Sequence, residues 1–299
     1  MPKKHLLRKI IYILEAAIAF IILFFLGLLP INTTSSLGGI IGRKFGPLTK
    51  AHRTARKNLL IALPELSPSE HNHILDKAWD NFGRVLTEYA HLHKFSNDKE
   101  KNRITIDGIE KLQLLDKREE PFIIFFGHLG NWEMNGLCAI SAKKTSSIIY
   151  RPPNNPYIAD RLLKIRDLGE DVLIPKGMKG AIKAIKKIKK NGIVLMAMDQ
   201  KMNNGLSIPF FRKNAMTGDA IARLAIKYKC SILPLRSQRL DGCNFKLTFE
   251  NPWLWNENEN QNTHNILIRI NQTLERWIRD KPEQWLWFHN RWPTEKILK

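Results

Sequence analysis

The stretch that decides the fold is Pro121–Asn135, PFIIFFGHLGNWEMN. Its apolar run, Phe122–Phe126, is closed by a glycine and predicts a buried strand. Asn131 then predicts a helix N-cap, with Glu133 as an acid in the first helical turn. His128 would therefore lie where a buried strand ends and a helix begins, which is the edge of open α/β sheets where ligands bind.

The spacing of His128 and Glu133 restricts how the two side chains can meet. On one continuous helix they would point about 140° apart, so they can face each other only across a turn. Gly130 supplies the backbone freedom that such a turn needs. A histidine held by a carboxylate has a fixed tautomer and can act as a general base. The spacing alone leaves open that His128 only caps the strand and that Glu133 lies on a solvated face.

Outward from this stretch, apolar runs and amphipathic segments alternate. The alternation predicts an α/β fold with a mixed, largely parallel sheet flanked by helices, over residues 101–299. The predicted strands are Phe122–Phe126, Ser147–Tyr150, Val172–Ile174, Ile193–Met198, Ile232–Leu235 and Phe245–Phe249. The predicted helices are Trp132–Ala142, Tyr157–Asp167, Lys179–Lys190, Asp219–Tyr228 and His264–Arg279.

Residues 1–30 are predicted to form a membrane-anchoring helix. Ile10–Leu29 is almost wholly apolar and stops at Pro30, and about 20 apolar residues suffice to cross a hydrocarbon core. A cleaved signal peptide is the alternative, but no small-x-small cleavage site follows. Basic residues flank the segment on both sides, so its orientation is not decided, and neither is whether it spans the bilayer or lies within one leaflet.

Residues 31–100 are predicted to be a helical region. Ala51–Leu63 has a helical pattern, and Ser67–Glu70 has the sequence of a capping box that opens a second, longer helix. The polar stretch Ser96–Arg103 predicts a linker into the main domain.

Charge and cysteine content limit the classes of function. A net charge of +20 attracts phosphates, whether on nucleic acid, on anionic lipids or on an acidic carrier protein. Three cysteines without a CxxC pattern favour a reducing compartment and packing roles. The His71/His73 and His91/His93 pairs would diverge by about 200° on helices, so no metal site and no diffusible cofactor is predicted.

The lysine-rich segment Lys176–Lys190 predicts an amphipathic helix. Its apolar stripe fits a helix that covers the sheet, and its lysines fit a solvated face. The same face could also dock on an anionic membrane or on an acidic carrier protein.

Several motifs in a fixed order resemble the lipid A biosynthesis acyltransferases, the late acyltransferases of Gram-negative envelopes. The resemblance extends over nearly the whole chain, and its strength lies in the order of the motifs. After the apolar N-terminus they are Ala55–Ser67, Asp107–Leu112, GHLGNWE at Gly127–Glu133, YRPPNNP at Tyr150–Pro156, Gly177–Gly192, MDQKMNNG at Met198–Gly205, Ile208–Thr217 and PEQWLWFHNRWP at Pro282–Pro293.

The resemblance implies a glycerolipid-acyltransferase-like fold and a His-x4-acid active site. It implies transfer of a fatty acyl group from acyl carrier protein to a hydroxyl of a primary acyl chain on the Kdo-bearing lipid A precursor. It also implies location at the inner membrane, with the catalytic domain on the cytoplasmic side and membrane lipids as further partners. His128 and Glu133 take the roles of the family's catalytic pair. The chain lacks the FPEGT-like phosphate motif of the glycerophosphate branch and a G-x-S-x-G elbow, so direct attack by the acceptor hydroxyl is expected, without a covalent intermediate.

Further side chains follow predicted strands and are candidates for the site. Arg151 could hold a phosphate or stabilise the oxyanion, although a surface ion pair would also explain it. Asp199 and Gln200 could orient His128 or bind the headgroup, with helix capping as the alternative. Asn131 is predicted to contact substrate.

The end of the chain is rich in tryptophan and arginine. Arg291 is a candidate phosphate contact. Six tryptophans are assigned mainly to packing, with some interfacial share. They are Trp253, Trp255, Trp277, Trp285, Trp287 and Trp292.

Three other readings remain open. The acyl acceptor could be a different glycolipid or a phospholipid. The charge also suggests a membrane-tethered nucleic-acid-binding protein, but such a protein would interleave basic residues with exposed aromatic ones. Here the aromatic residues lie in apolar runs, so no nucleic-acid partner is predicted. A peripheral membrane scaffold would leave His128 and Glu133 without a role.

Overall fold

The computed structural model describes residues 2–95, 103–118, 120–141, 144–166, 172–256 and 262–292, and within these ranges the side chains of 2–5 and 138–141 are not described. The predicted domain boundary at residue 100 and nearly all of the predicted Ser96–Arg103 linker lie outside the described residues.

A seven-stranded sheet and a separate two-stranded hairpin contain the strands of the described residues. The strands are β1 (Ile104–Asp107), β2 (Phe122–Phe126), β3 (Ser146–Tyr150), β4 (Leu173–Pro175), β5 (Ile193–Ala197), β6 (Leu206–Phe210), β7 (Lys213–Thr217), β8 (Ser231–Arg239) and β9 (Phe245–Phe249). All six predicted strands are confirmed within a few residues at their ends. The short β1 and the β6–β7 hairpin were not predicted, because their few apolar residues make a weak pattern.

The sheet has the order β1-β9-β8-β2-β5-β3-β4. The five strands from β8 to β4 are parallel to one another, whereas β9 is antiparallel to β8 and pairs in parallel with β1. The prediction of a mixed, largely parallel α/β sheet is thus confirmed. Because neighbouring parallel strands end at the same edge, the residues that follow β2, β5 and β3 lie side by side.

Helices connect and cover these strands. They are α1 (Pro2–Leu28), α2 (Ile31–Phe45), α3 (Lys50–Ala62), α4 (Pro68–Glu88), α5 (Ile109–Asp116), α6 (Met134–Ser141), α7 (Pro156–Arg166), α8 (Met178–Lys189), α9 (Ala220–Tyr228) and α10 (Thr263–Asp280). The predicted helices are confirmed, as is the capping box of Ser67 and Glu70 at the start of α4.

Two apolar cores lie on opposite faces of the sheet. Ile123 and Phe125 of β2 belong to one core, together with apolar residues of α3, α4, α8, α9 and α10. Phe122, Ile124 and Phe126 belong to the other, with residues of α5 and β9. Successive strand residues point to opposite faces, so a strand buried on both sides needs the unbroken apolar run that β2 has.

Helix α2 lies in the region 31–100 that was predicted to be helical, but no individual helix was assigned there, because its sequence INTTSSLGGIIGRKF combines poor helix formers with glycines. It is stabilised by close packing on α4. A Cβ added to Gly83 would lie 2.1 Å from the carbonyl oxygen of Gly38, so the two helices can approach this closely only without side chains at these points.

Helix α1 contains the candidate membrane segment. Leu6–Leu28 is 23 residues long with mean hydropathy 2.6, which is long and apolar enough to cross a membrane, and only 6% of its most apolar window is buried in the protein. An apolar helix exposed to this degree is a candidate membrane anchor rather than a core helix.

Candidate active site

The loop after β2 presents His128 at the carboxyl edge of the sheet. Gly130 has a φ of 56°, a left-handed conformation that uses the backbone freedom expected of a glycine in this turn. The C-terminal segment holds the loop in place: the Gly130 N–H donates to the Gln284 carbonyl at 3.0 Å, and the Leu286 N–H donates to the His128 carbonyl at 3.1 Å. The loop is therefore clamped by backbone hydrogen bonds from residues far away in sequence.

Asp199 follows β5, the strand next to β2, and contacts His128 twice. The backbone N–H of His128 donates to Asp199 Oδ2 at 2.7 Å, and His128 Nδ1 lies 2.7 Å from Asp199 Oδ1. The indole N–H of Trp285 also donates to Asp199 Oδ2, at 2.8 Å. The Asp199 side chain is 2% exposed and that of His128 is 17% exposed, so the carboxylate lies behind the ring and the ring faces the edge.

These contacts determine the charge and the tautomer of the pair. Burial alone would raise the pKa of Asp199, but the adjacent His128 and the hydrogen bonds lower it to about 2. Burial opposes a charged His128, yet the carboxylate of Asp199, with a smaller contribution from Glu133, raises the pKa of His128 above its ordinary 6.5. An ionised Asp199 can only accept, so Nδ1 of His128 carries a proton and Nε2 is the basic nitrogen of the neutral ring.

Glu133 does not hold the ring of His128, so the expected orienting contact is wrong. Arg166, at the end of α7, forms a bidentate ion pair with Glu133, with Nε at 2.7 Å and Nη2 at 2.8 Å from the two carboxylate oxygens. The hydroxyl of Tyr89 donates to the same carboxylate at 2.5 Å. Burial would raise the pKa of Glu133, but Arg166 and then Tyr89 hold it below the usual value. Glu133 contributes to the raised pKa of His128 through its charge and not through a hydrogen bond.

Asn131 supports the loop from inside and is 1% exposed. Its Oδ1 accepts from the Glu133 N–H at 3.1 Å, and its Nδ2 donates to Glu88 Oε2 at 2.7 Å. Helix α6 begins only at Met134, three residues beyond the predicted cap. Both ends of its amide are bound inside the protein, and a contact of Asn131 with substrate stays a prediction.

A buried ion pair lies beneath Asn131. Glu88 is fully buried and accepts from Arg239 Nη1 at 2.5 Å and from Nη2 at 2.9 Å. The hydroxyl of Ser35 on α2 also donates to Glu88, at 2.6 Å. This pair links α2, α4 and β8 to the loop that carries His128.

Gln200 and Arg151 lie at the same edge. Gln200 Nε2 is 3.4 Å from His128 Nε2, which places the amide beside the basic nitrogen. Arg151 directly follows β3 and is exposed. Burial lowers the pKa of Lys176, and the charge of Arg151 lowers it further. Burial also lowers the pKa of His289, with smaller contributions from the charges of His128 and Arg151. Arg151 and Lys176 thus add positive charge at this edge, whereas the lowered pKa of His289 favours its neutral form.

Arg291 lies in the interior and is 1% exposed. Its Nη1 donates to the Met216 carbonyl at 2.8 Å, and its Nη2 donates to Thr217 Oγ1 at 2.8 Å. The guanidinium joins the C-terminal segment to β7, and a phosphate contact of Arg291 stays a prediction. The nearby Trp277, Trp285, Trp287 and Trp292 are buried as expected for packing residues.

Sequence reasoning missed Arg166, Tyr89 and Trp285 as neighbours of the catalytic candidates. Arg166 ends an ordinary amphipathic pattern, and Tyr89 follows one, so neither has a local signal. Trp285 belongs to a motif that was noted, but its indole partner could not be inferred from spacing. Among the described residues, no group of three or more His, Cys, Asp or Glu side chains is placed to hold a metal ion.

Comparison with known proteins gives a consistent result. The family model described as bacterial lipid A biosynthesis acyltransferase matches residues 1–294. The chain is 24% identical over 277 residues to the lipid A biosynthesis palmitoleoyltransferase of Escherichia coli K12, covering 90% of this chain and 88% of that protein. It is 25% identical over 250 residues to the lauroyltransferase (81% and 79%), and 23% identical over 260 residues to the myristoyltransferase (86% and 80%) of the same organism. With this match over nearly its full length, the chain belongs to the bacterial lipid A biosynthesis acyltransferase family and is an acyltransferase.

Proposed function

We propose that this enzyme transfers a fatty acyl group from acyl carrier protein to a hydroxyl of a primary acyl chain on the Kdo-bearing lipid A precursor. The observation that carries the proposal is the His128–Asp199 pair, which points a basic Nε2 to the carboxyl edge of the sheet in a chain of this family. A base held in one tautomer is what activation of a hydroxyl requires.

The proposed reaction has two stages. His128 Nε2 takes the proton of the acceptor hydroxyl while the hydroxyl oxygen attacks the thioester carbonyl. The tetrahedral oxyanion then collapses, the C–S bond breaks, and the proton on Nε2 passes to the departing thiolate. Asp199 stabilises the transient imidazolium and acts as a positioning residue. No protein nucleophile takes part, so no acyl-enzyme forms.

The positive charge of Arg151 and Lys176 at this edge of the sheet supports a phosphorylated acceptor. Arg151 is exposed at the end of β3 and could bind a phosphate or the oxyanion. Gln200, at 3.4 Å from Nε2, is placed to contact the acceptor hydroxyl before its proton is transferred. Glu133 remains a proposed member of the site through its charge and through the position of Arg166.

Helix α8 supports an acidic carrier protein as the acyl donor. Lys176, Lys179, Lys183, Lys186, Lys189 and Lys190 are exposed. Within the described part of the chain none of them has a carboxylate partner among the ion pairs, so their charge is available to an acidic surface. Acyl carrier protein is cytoplasmic, and the proposal therefore places the catalytic domain on the cytoplasmic side of the inner membrane.

The test is incubation of the detergent-solubilised enzyme with lauroyl-, myristoyl- or palmitoleoyl-carrier protein and the Kdo-bearing tetra-acylated precursor, followed by mass spectrometry. We expect one added acyl chain with the native enzyme and a loss of about 10²–10⁴-fold for His128→Ala. If the acyl chain is transferred only to another glycolipid or to a phospholipid, that lipid is the acceptor instead of the lipid A precursor. Equal transfer by His128→Ala, or a trapped acyl-enzyme, would overturn the mechanism.

A further inference from the structure

Helix α1 packs along the domain over much of its length. Asn155 at the start of α7 donates to the Tyr12 carbonyl at 2.8 Å and to Glu15 at 3.1 Å. Near the other end of α1, the Leu26 carbonyl lies 3.2 Å from Nε2 of His91, which follows α4. From Tyr12 to Leu26 the helix rises about 21 Å, which is most of the roughly 30 Å of a hydrocarbon core. The domain therefore lies beside the apolar segment rather than beyond one of its ends.

Charged side chains flank this apolar segment. A groove of about 500 Å³ between α1 and α7 has Phe20 and Phe24 on one wall and Lys94, Arg161 and Lys164 on the others. Lys164 pairs with Asp160 at 3.0 Å, and both side chains are two-thirds exposed. If α1 crossed a bilayer, these charges would lie at the depth of its apolar residues, inside the hydrocarbon.

A charged side chain at that depth is costly, and membrane proteins avoid it unless the charge faces a protein interior or a water-filled cavity. The Asp160–Lys164 pair is on the outer surface of α7, and α7 has no buried residues. If α1 instead lies parallel to the membrane surface, its apolar side enters the bilayer while α7 stays among headgroups and water.

Helix α2 extends this apolar surface. It begins three residues after α1 ends, and its inner side packs on α4, so lipid cannot surround it. Its outer side and the following turn expose an apolar stripe at helical spacing, flanked by basic residues. The stripe is Leu37, Ile40, Ile41, Phe45 and Leu48, and the exposed flanking cations are Lys44, Lys50 and Arg53.

We propose that this enzyme is monotopic: α1 lies in the plane of one leaflet, and the stripe on α2 is a second contact with the same membrane surface. The occupant of both surfaces is a bilayer that contains anionic lipids, because an apolar stripe bordered by cations matches the acyl-headgroup boundary. The N-terminal end of α1 then stays on the same side of the membrane as the catalytic domain. This proposal does not depend on the identity of the acyl donor or acceptor.

The first test is accessibility to a membrane-impermeant maleimide. Cys138, Cys230 and Cys243 are replaced by alanine, and Lys9→Cys or Lys183→Cys is introduced into the full chain. Lys9 lies near the N-terminal end of α1, and Lys183 lies on α8. In right-side-out and in inverted inner-membrane vesicles, we expect both positions to be labelled in the same vesicle type. Labelling of the two positions in opposite vesicle types would overturn the proposal.

The second test measures depth. Bimane is attached at Leu14→Cys, Phe24→Cys, Ile40→Cys or Lys183→Cys, and the protein is placed in nanodiscs of brominated phosphatidylcholine and phosphatidylglycerol. We expect similar, shallow quenching at positions 14, 24 and 40, and none at 183. Deep quenching at position 14 with shallow quenching at position 24 would show that α1 spans the bilayer. No quenching at position 40 would show that the α2 stripe does not contact the membrane. Thermal unfolding of each labelled protein confirms that the fold is retained.

Discussion

Two buried carboxylates near His128 have the same charge but bind different partners. Asp199 lies at the end of β5 and shares its hydrogen bonds with the ring and the backbone of His128. Glu133 lies before α6 and binds Arg166 and Tyr89. The pKa of each carboxyl is lowered although burial alone would raise it. The partner makes the difference: an imidazole gains and loses a proton near neutral pH, whereas a guanidinium does not.

The comparison shows that burial and charge alone do not identify the carboxylate that would assist a base. What matters is whether the group it holds can exchange a proton and is open to substrate. His128 meets both conditions, with its side chain 17% exposed. Arg166 stays charged at any pH the enzyme meets, so its pair with Glu133 serves to position the loop and α7.

The largest effect is expected for Asp199→Asn. An amide cannot stabilise the imidazolium or enforce the Nδ1–H tautomer, so we expect kcat to fall by about 10²-fold or more. Native activity should rise with pH through the raised pKa of His128, because the base must be neutral. In the variant this rise should move to lower pH. Asp160→Asn on the surface of α7 is the matched control, and an unchanged pH profile in Asp199→Asn would refute the pairing.

The raised pKa of His128 also makes stability depend on pH, in the direction opposite to activity. The folded-state pKa of His128 is raised, so its interaction with Asp199 stabilises the fold fully below about pH 6.5 and is lost as pH rises through the folded pKa. Activity and this contribution to the free energy of unfolding should therefore change in opposite directions over that window. Urea unfolding of the native enzyme and of Asp199→Asn across this range measures the contribution.

A smaller loss of activity is expected for Glu133→Gln, with a clear loss of stability. The variant leaves Arg166, 14% exposed, without its carboxylate, and breaking a buried pair on one side costs about 3 kcal/mol. The double variant Glu133→Gln/Arg166→Gln should recover most of that loss in thermal unfolding. Transfer by the single variant should fall about tenfold because the loop shifts. Complete loss of transfer at unchanged stability would instead give Glu133 a direct part in the chemistry.

The smallest effect is expected for Arg151→Ala, at the exposed carboxyl edge of the sheet. If Arg151 binds a phosphate of the acceptor, KM should rise by about tenfold with little change in kcat, and Arg151→Lys should restore most of the affinity. Arg118→Ala, at the opposite end of β2, is the control and should leave both constants unchanged. A fall in kcat without a change in KM would place Arg151 at the oxyanion instead.

Much of the architecture could be predicted because apolar patterns are local. Phe122–Phe126 and Phe245–Phe249 were predicted residue for residue as strands, and the capping box of α4 was evident from four residues. The bounds of α2 within the predicted helical region 31–100 could not be predicted, since its stability comes from glycine packing on α4 rather than from its helix propensity. The same limit applies to the polar network of Glu88 and Arg239, which are 151 residues apart.

The candidate site was predicted in its components, while its pairing was left open. His128, Asp199 and Arg151 were each expected at strand ends, and each lies there. Glu133, five residues away, was the first expected partner of His128, and Asp199 was a second candidate for orienting it. The structure pairs His128 with Asp199, 71 residues away. Asn131 and Arg291 were expected to contact substrate, but a polar residue type does not reveal whether it faces solvent or the interior.

By itself, the sequence determined the strands, most helices, the apolar N-terminal segment and a set of motifs typical of an acyltransferase family. Those features depend on hydrophobic periodicity and residue type along a continuous stretch. Only the tertiary structure decided which carboxylate meets His128, which arginines are buried, and that α1 lies along the domain. Such contacts depend on strand order and packing, because β5 is adjacent to β2 in space and distant from it in the chain.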